Sequence, residues 1–208
     1  PNTLDIIGDY AFQGCSSLSQ LLIPDEVTSI GENAFDGCSG LSYLIIGDGV
    51  KTIGERAFQD CIKLTTVEVP LGVTSIGECA FRGCDILTSL VVSGENPVYD
   101  SRENCNAIIE TSSNTLLHGC CKSVVPDGVV AIANSAFYDC TGLESIVLPE
   151  GVTSIGADAF RSCSGLVSVT LPQTLTTIGE TAFDECIKLA SISIPENVRN
   201  IDTYAFWN

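Results

Sequence analysis

The sequence predicts a β-rich repeat solenoid, in which similar coils stack and bury their apolar residues against one another. The dipeptide Ala-Phe recurs eight times along the chain, at steps of 23 except for one step of 56. All eight Phe residues of the chain occupy this one position of the repeat. A fixed period of about 20 to 50 residues is typical of repeat architectures. A single coil cannot bury its apolar side chains, so we expect stacked coils with continuous ladders of equivalent residues.

Each repeat begins with a segment that has the pattern of a β-strand. The unit is L-x-x-[LIV]-x-[LIV]-P-x-x-V-x-x-I-G-x-x-A-F-x-x-C. The aliphatic residues nine and eleven positions after Phe lie on one face of a strand, because side chains alternate between the two faces. The opening L-x-x-L-x-L fits the strand signature of leucine-rich repeats, whose period is about 20 to 29 residues.

The rest of the repeat is predicted to turn. Pro ends the strand, because it cannot donate to a following ladder bond. The Ala-Phe segment is long enough for only one or two turns of α- or 3-10 helix. The glycines that follow the repeat isoleucine are interpreted as residues of a sharp turn, where a positive φ is open to glycine; they are Gly31, Gly54, Gly77, Gly156 and Gly179.

The unit V-T-S-I-G-x-x-A-F-x-x-C-x-x-L resembles the BspA-like leucine-rich repeats of bacterial surface proteins, which also occur in some protists. The resemblance covers essentially the whole chain. It implies a right-handed leucine-rich-repeat horseshoe or rod, an extracellular or cell-surface location, and a binding or adhesive role without catalysis. We expect residues 1–208 to form one domain of about nine coils. Neither end has an obvious polar capping unit, so a fragment of a longer array is expected.

One coil is longer than the others. The step from Phe81 to Phe137 is 56, which is one repeat of 23 plus a coil of 33, and the ten extra positions lie within 93–126. Residues 107–110 and 115–118 flank the polar turn T-S-S-N and predict a β-hairpin that replaces the back wall of this coil. Two interpretations stay open, a spacer that repacks the back wall and a specialised contact.

The charge balance excludes two classes of partner. The chain has 9 Lys and Arg residues against 26 Asp and Glu residues, a net charge of −17. Nucleic-acid binding requires a basic face, and docking on anionic lipid requires a basic cluster. No apolar run approaches the roughly 20 residues of a membrane span. The sequence therefore predicts neither nucleic-acid binding nor membrane insertion.

Seven of the eleven cysteines follow Phe at the third position after it. They are Cys15, Cys38, Cys61, Cys84, Cys140, Cys163 and Cys186. Stacked side chains point in parallel, which does not suit the ~90° twist of a disulfide. These thiols are predicted to be buried as small apolar groups. Outside this position, a disulfide between Cys105 and either Cys120 or Cys121 is a candidate that the sequence leaves open.

Residue types that carry chemistry do not converge in this sequence. His118 is the single His, and it invites a catalytic reading with a Cys and Asp100, but no nucleophile-elbow or oxyanion-loop motif supports one. We interpret it as a polar residue at the end of the hairpin. Asp48-Gly49 and Asp127-Gly128 lack the spacing of an EF-hand loop. No enzyme activity, cofactor or metal site is predicted.

The outward residues of the predicted strands are the candidate binding site. The residue between the two buried positions of each strand points out of the concave sheet. A protein-binding surface is therefore predicted at Leu22, Tyr43, Ile45, Glu68, Val91, Val124 and Val147. Contiguous exposed apolar patches mark partner sites, although aliphatic residues also suit strands by propensity.

These observations predict a non-enzymatic module that binds proteins, or that adheres to a host or neighbouring-cell surface, through its concave sheet. The alternative is a structural spacer, which displays neighbouring domains and has no ligand of its own. Mutation of the outward strand residues distinguishes the two, because only the first function depends on them.

Overall fold

The structure, a computed structural model, describes residues 3–207. It divides into two units, Pro1–Asp100 and Ser101–Asn208. Each unit is a β-solenoid in which most regular coils have one long and one short strand, which confirms the predicted repeat fold. The single domain over residues 1–208 and the longer array stay predictions.

In the first unit, the strands of successive coils pair in parallel with a constant offset of one repeat. Leu22 lies opposite Ile45 in one sheet, and Ser29 lies opposite Thr52 in the other. The short strands β1, β3, β5 and β7 form one sheet, while the long strands pair as β2 with β4 and β6 with β8. The strands are β1 (Ile6–Ile7), β2 (Gln20–Ile23), β3 (Ser29–Ile30), β4 (Tyr43–Ile46), β5 (Thr52–Ile53), β6 (Thr66–Val69), β7 (Ser75–Ile76), β8 (Ser89–Val92) and β9 (Tyr99–Asp100).

The second unit repeats this arrangement after an antiparallel hairpin. The strands are β10 (Ala107–Glu110), β11 (Thr115–Gly119), β12 (Ala131–Ile132), β13 (Ser145–Val147), β14 (Ser154–Ile155), β15 (Ser168–Thr170), β16 (Thr177–Ile178) and β17 (Asn200–Ile201). β10 and β11 form the predicted hairpin, which is therefore confirmed. β11 also pairs in parallel with β12, which is followed by β14, β16 and β17, so the hairpin is continuous with the short-strand sheet.

The Phe ladder fills the centre of each unit. Phe35 and Phe58 are fully buried, and their rings stack at 5.2 Å with an interplanar angle of 5°. In the second unit Phe160 and Phe183 stack at 5.0 Å. Phe12, the first ring of the series, is 42% exposed. The predicted burial of the repeat Phe is therefore confirmed for the inner coils.

The Ala-Phe segment is a series of compact turns and not a regular helix. Phe35 N–H donates to Ala57 O of the next coil at 2.8 Å, while Cys38 N–H donates to Phe35 O within the same coil at 3.1 Å. Backbone bonds thus alternate between the next coil and the turn itself. Within residues 3–207, the one short helix is a 3-10 turn at Arg102–Asn104 in the long coil.

The glycines after the repeat isoleucine are required by close packing between coils, so their interpretation through a positive φ is wrong. Gly54 is not among the residues of positive φ, but a Cβ atom there would lie 2.5 Å from the carbonyl carbon of Gly31 in the preceding coil. Positive φ occurs instead at the second position before Phe, as at Asn33, and at the second position after it, as at Gly37, where φ is 69°. Glycine therefore serves two separate purposes in the repeat.

Candidate protein-binding face

The long strands of the first unit alternate between buried and exposed residues. In β2, Leu22 is exposed and Ile23 is buried, and β4 repeats this pattern with Ile45 and Ile46. Buried aliphatic residues anchor each strand to the core, so the intervening side chains point outward. We call this surface the long-strand face; its outward residues are Gln20, Leu22, Tyr43, Ile45, Thr66, Glu68, Ser89 and Val91.

Three of the predicted site residues form an exposed apolar group on this face. Leu22 is 63% exposed and lies opposite Ile45, which is 44% exposed. Tyr43, on the same strand as Ile45 and two positions before it, is half exposed. Glu68 is exposed and lies opposite Val91, which is half-buried. The structure therefore brings these residues together in two register pairs.

The remaining two predicted residues belong to the second unit. Val147 is exposed at the end of β13 and lies opposite Thr170. Val124 is exposed but lies outside any strand. Its N–H donates to Cys105 O at 2.9 Å within the long coil. The structure brings predicted residues together only within the first unit. That all of them form one continuous stripe therefore stays a prediction.

A cavity of about 320 Å³ opens at the end of β4. We call it the Gly47 cavity. Its apolar walls include Ile45, Ile46 and Pro70. Gly47 takes the position that Pro24 and Pro70 hold in the neighbouring repeats, so this coil lacks the proline ring that its neighbours carry there. The cavity was not predicted from the sequence. The sequence signal that could have indicated it is the Gly that replaces Pro at this position of the repeat.

The lining of the Gly47 cavity is also acidic. Asp25, Asp48 and Glu68 also line it. The N–H of Asp48 donates to Oδ1 of Asp25 at 3.0 Å, which holds two of these turns together. Among residues 3–207, none of the three carboxylates forms an ion pair with Lys or Arg. The cavity therefore combines apolar walls with negative charge that the described part of the chain does not neutralise.

The Thr residues beside the short strands are used for stacking. Thr28 Oγ1 donates to Asp5 O at 3.2 Å, and Thr176 Oγ1 donates to Thr153 O at 2.9 Å. In each pair the acceptor lies one coil earlier. These hydroxyls are engaged with backbone, which leaves the long-strand face as the better candidate for a partner.

The cysteine ladder is a structural element. Cys163 Sγ donates to Phe137 O and Cys186 Sγ donates to Phe160 O, both at 3.1 Å. Burial raises the pKa of the Cys84 and Cys186 thiols to about 12, because the thiolate would lose its hydration. Five of the seven ladder thiols are buried, whereas Cys15 is exposed and Cys140 is half-buried. The predicted burial is confirmed for Cys38, Cys61, Cys84, Cys163 and Cys186.

The long coil holds the remaining candidates for thiol chemistry. No disulfide joins any of the eleven cysteines, all of which lie within the described residues. The Sγ atoms of Cys105 and Cys120 instead approach Ala107 O at 3.6 Å and Asn106 O at 3.4 Å. The pairing of Cys105 with Cys120 or Cys121 is therefore not present in this structure.

His118 is buried in β11, opposite Ile108, and is only 7% exposed. His118 lies one residue before the end of β11, so its predicted position at the end of the hairpin is confirmed. Its burial was not predicted. Across residues 3–207, no group of three or more His, Cys, Asp or Glu residues is placed to hold a metal ion. In the same range, no helix has the length and apolar character needed to cross a membrane.

Comparisons with known proteins agree with this geometry. The structure is similar to the pneumococcal vaccine antigen PcpA, with a TM-score of 0.83 and 25% identity, covering 95% of this chain and 50% of that chain. It is also similar to a leucine-rich cell surface protein from Faecalibacterium prausnitzii, with a TM-score of 0.66 and 27% identity, covering 100% of this chain and 69% of that chain. For a leucine-rich repeat protein of T. pallidum, the TM-score is 0.53 and the identity 27%, covering 90% of this chain and 72% of that chain.

The chain thus spans half the length of the PcpA chain. A search of curated protein sequences finds no significant match. The sequence matches the BspA type leucine rich repeat region in six copies, over residues 1–107 and 118–208. Because this match covers nearly the whole sequence, the chain belongs to the BspA-type leucine-rich repeat family.

Proposed function

We propose that this chain is a non-enzymatic protein-binding or adhesion module of a cell-surface or secreted protein, and that it contacts its partner through the long-strand face. The observation that carries the proposal is the exposed group of Leu22, Tyr43 and Ile45, held in register on adjacent strands. Its similarity to a leucine-rich cell surface protein and to a vaccine antigen supports the location.

Exposure and rigidity both favour the long-strand face as a binding surface. Exposed apolar side chains grouped on one face tend to mark partner sites, and aromatic anchors contribute a large part of interface energy. Tyr43 and Ile45 lie on a strand whose neighbours fix its backbone. A rigid face loses little conformational entropy when a partner binds.

A structural spacer is the second candidate function. The stacked Phe rings and the Thr hydroxyls bonded to the preceding coil favour it, because both stiffen the stack. A spacer depends on this stiffness alone, so substitution of the long-strand face would leave its function unchanged.

Binding to extracts of host and neighbouring-cell surface proteins tests the proposal, with the double variant Tyr43→Ser/Ile45→Glu. Since two anchors are lost, we expect affinity for the captured partner to fall at least tenfold. The matched control is Val130→Glu, which changes an exposed aliphatic residue beside the short strands. Equal binding by wild type and both variants, with unchanged circular dichroism, would reject the long-strand face and favour the spacer.

A further inference from the structure

We propose that the Gly47 cavity receives an arginine side chain of the protein partner. This inference rests on the proposed function, since the cavity borders the long-strand face, and it specifies the partner's chemistry. Ile45 belongs both to the exposed apolar group and to the wall of the cavity. A partner that covers Ile45 therefore contacts a wall of the cavity.

The size of the cavity fits one side chain. At about 320 Å³ it lies at the lower end of ligand-pocket volumes, which run from about 300 to 1,000 Å³. Its apolar walls at Ile46 and Pro70 suit the aliphatic stem of a long side chain. Arginine places such a stem along apolar surface and keeps its charged end in a polar environment.

The negative charge of the cavity favours an occupant that carries a positive charge. Asp25, Asp48 and Glu68 contribute three carboxylates with no ion-pair partner among residues 3–207. The chain as a whole carries −17, so an anionic partner segment would be repelled. A cationic end group is complementary to this surface in charge.

Arginine fits this combination better than a compact ammonium group does. Its guanidinium is planar, presents five N–H donors and is more weakly hydrated than an ammonium. It can therefore form a bidentate pair with one carboxylate and still donate its remaining N–H groups to a second carboxylate. Asp48 and Glu68 come from successive repeats, so their carboxylates approach the cavity from two coils.

The test uses a small probe, n-butylguanidinium, which reproduces the end of an arginine side chain. Binding is followed by NMR through the δ1-methyl resonances of isoleucine in the whole 208-residue chain. We expect saturable shifts at Ile45 and Ile46 with this probe. The neutral analogue n-butylurea has the same stem and a similar shape, and we expect it to produce no saturable shift.

A double variant with a matched control tests whether the carboxylates of the cavity bind the probe. Asp48→Asn and Glu68→Gln together should weaken probe binding about tenfold, because two carboxylates are neutralised. Glu144→Gln, which removes an exposed charge from the second unit, should change it less than twofold. The folded state of each variant is checked by the dispersion of the same methyl spectrum.

Three results would overturn the inference: no saturable shift at Ile45 and Ile46, equal binding of n-butylurea, or unchanged affinity in the Asp48→Asn/Glu68→Gln variant. These results leave the proposed function to its own test. If Tyr43→Ser/Ile45→Glu abolishes partner binding while n-butylguanidinium fails to bind, the long-strand face is retained and its arginine occupant is rejected.

Discussion

At the scale of single residues, Phe58 and Thr52 lie in opposite environments. Phe58 stacks on both neighbouring Phe rings, at 5.2 and 5.7 Å, and is fully buried. Thr52 lies on a short strand and is partly exposed. The stability of the fold should therefore depend strongly on the first residue and weakly on the second.

The first prediction concerns Phe58→Ala. Removing a buried ring leaves a cavity between two other rings, so we expect the free energy of unfolding to fall by about 3–5 kcal/mol. Thr52→Ala should change it by less than about 0.5 kcal/mol. Urea denaturation followed by circular dichroism measures both, and equal effects would contradict the assignment of core and surface.

The second prediction concerns the thiol ladder. Burial raises the pKa of Cys84 and Cys186 to about 12, so near pH 8 almost none of either thiol is thiolate, the reactive form. We expect iodoacetamide to label the exposed Cys15 quickly in native protein and both buried thiols slowly. Mass spectrometry of native and urea-treated samples gives the rates; rapid native labelling of Cys84 or Cys186 would contradict their burial.

At the scale of the element, the distance between coils decides which glycines can be replaced. Gly54 faces the backbone of the preceding coil. Gly37 has a positive φ, and a Cβ atom there would make only ordinary van der Waals contact, with Gly14 Cα as its nearest neighbour at 3.7 Å. A steric clash with backbone cannot relax without separating two coils. A positive φ imposes only a local conformational cost.

The third prediction follows from this difference. Gly37→Ala should lower the free energy of unfolding by about 1 kcal/mol, the cost of left-handed backbone for a residue with a Cβ atom. Gly54→Ala should lower it by about 2–3 kcal/mol, because the new methyl group overpacks the contact between coils. Urea denaturation gives the order of the two variants, and a larger loss for Gly37→Ala would refute the steric explanation.

The elements also show what the sequence could predict. The spacing of Phe and Cys predicted the buried ladders, because residues one repeat apart in the chain become neighbours in the stack. Strand alternation likewise predicted the exposure of Leu22 and Ile45.

The burial of His118 and the cavity at Gly47 were not predicted. They depend on how closely one coil approaches the next, a distance that the repeat period does not determine. In the long coil, Gly119 N–H donates to Ala136 O, and a side chain at Gly119 would overlap the ring of Phe137. The regular coils have the same backbone bond, as from Phe35 N–H to Ala57 O, so Gly119 takes the position of a repeat Phe. The sequence does not show this equivalence, because the long coil lacks the Ala-Phe dipeptide.

At the scale of the whole molecule, the net charge favours basic partners for the proposed binding function. The net charge of −17 is spread over a chain with only 9 basic residues. Long-range attraction to a basic partner increases the association rate at low ionic strength. The same surface charge disfavours acidic partners.

The fourth prediction is that partner binding weakens with salt. Between about 0.01 and 1 M ionic strength the Debye length falls from about 30 to 3 Å, so the attraction becomes screened. We expect a loss of affinity of at least tenfold over this range in surface plasmon resonance, mostly in the association rate. Binding that is unchanged or stronger in high salt would argue for an interface without charge complementarity.

The long-strand face itself is tested most directly by site-specific photo-crosslinking. A benzoylphenylalanine side chain replaces Tyr43 in one variant and Val130 in a second, which places the same reactive group beside the long or the short strands. Both proteins are irradiated with the same surface-protein extract, and covalent adducts are identified by mass spectrometry. We predict a specific adduct from position 43 and none from position 130. Adducts from position 130 alone, or equal adducts from both positions, would contradict binding of the partner at the long-strand face.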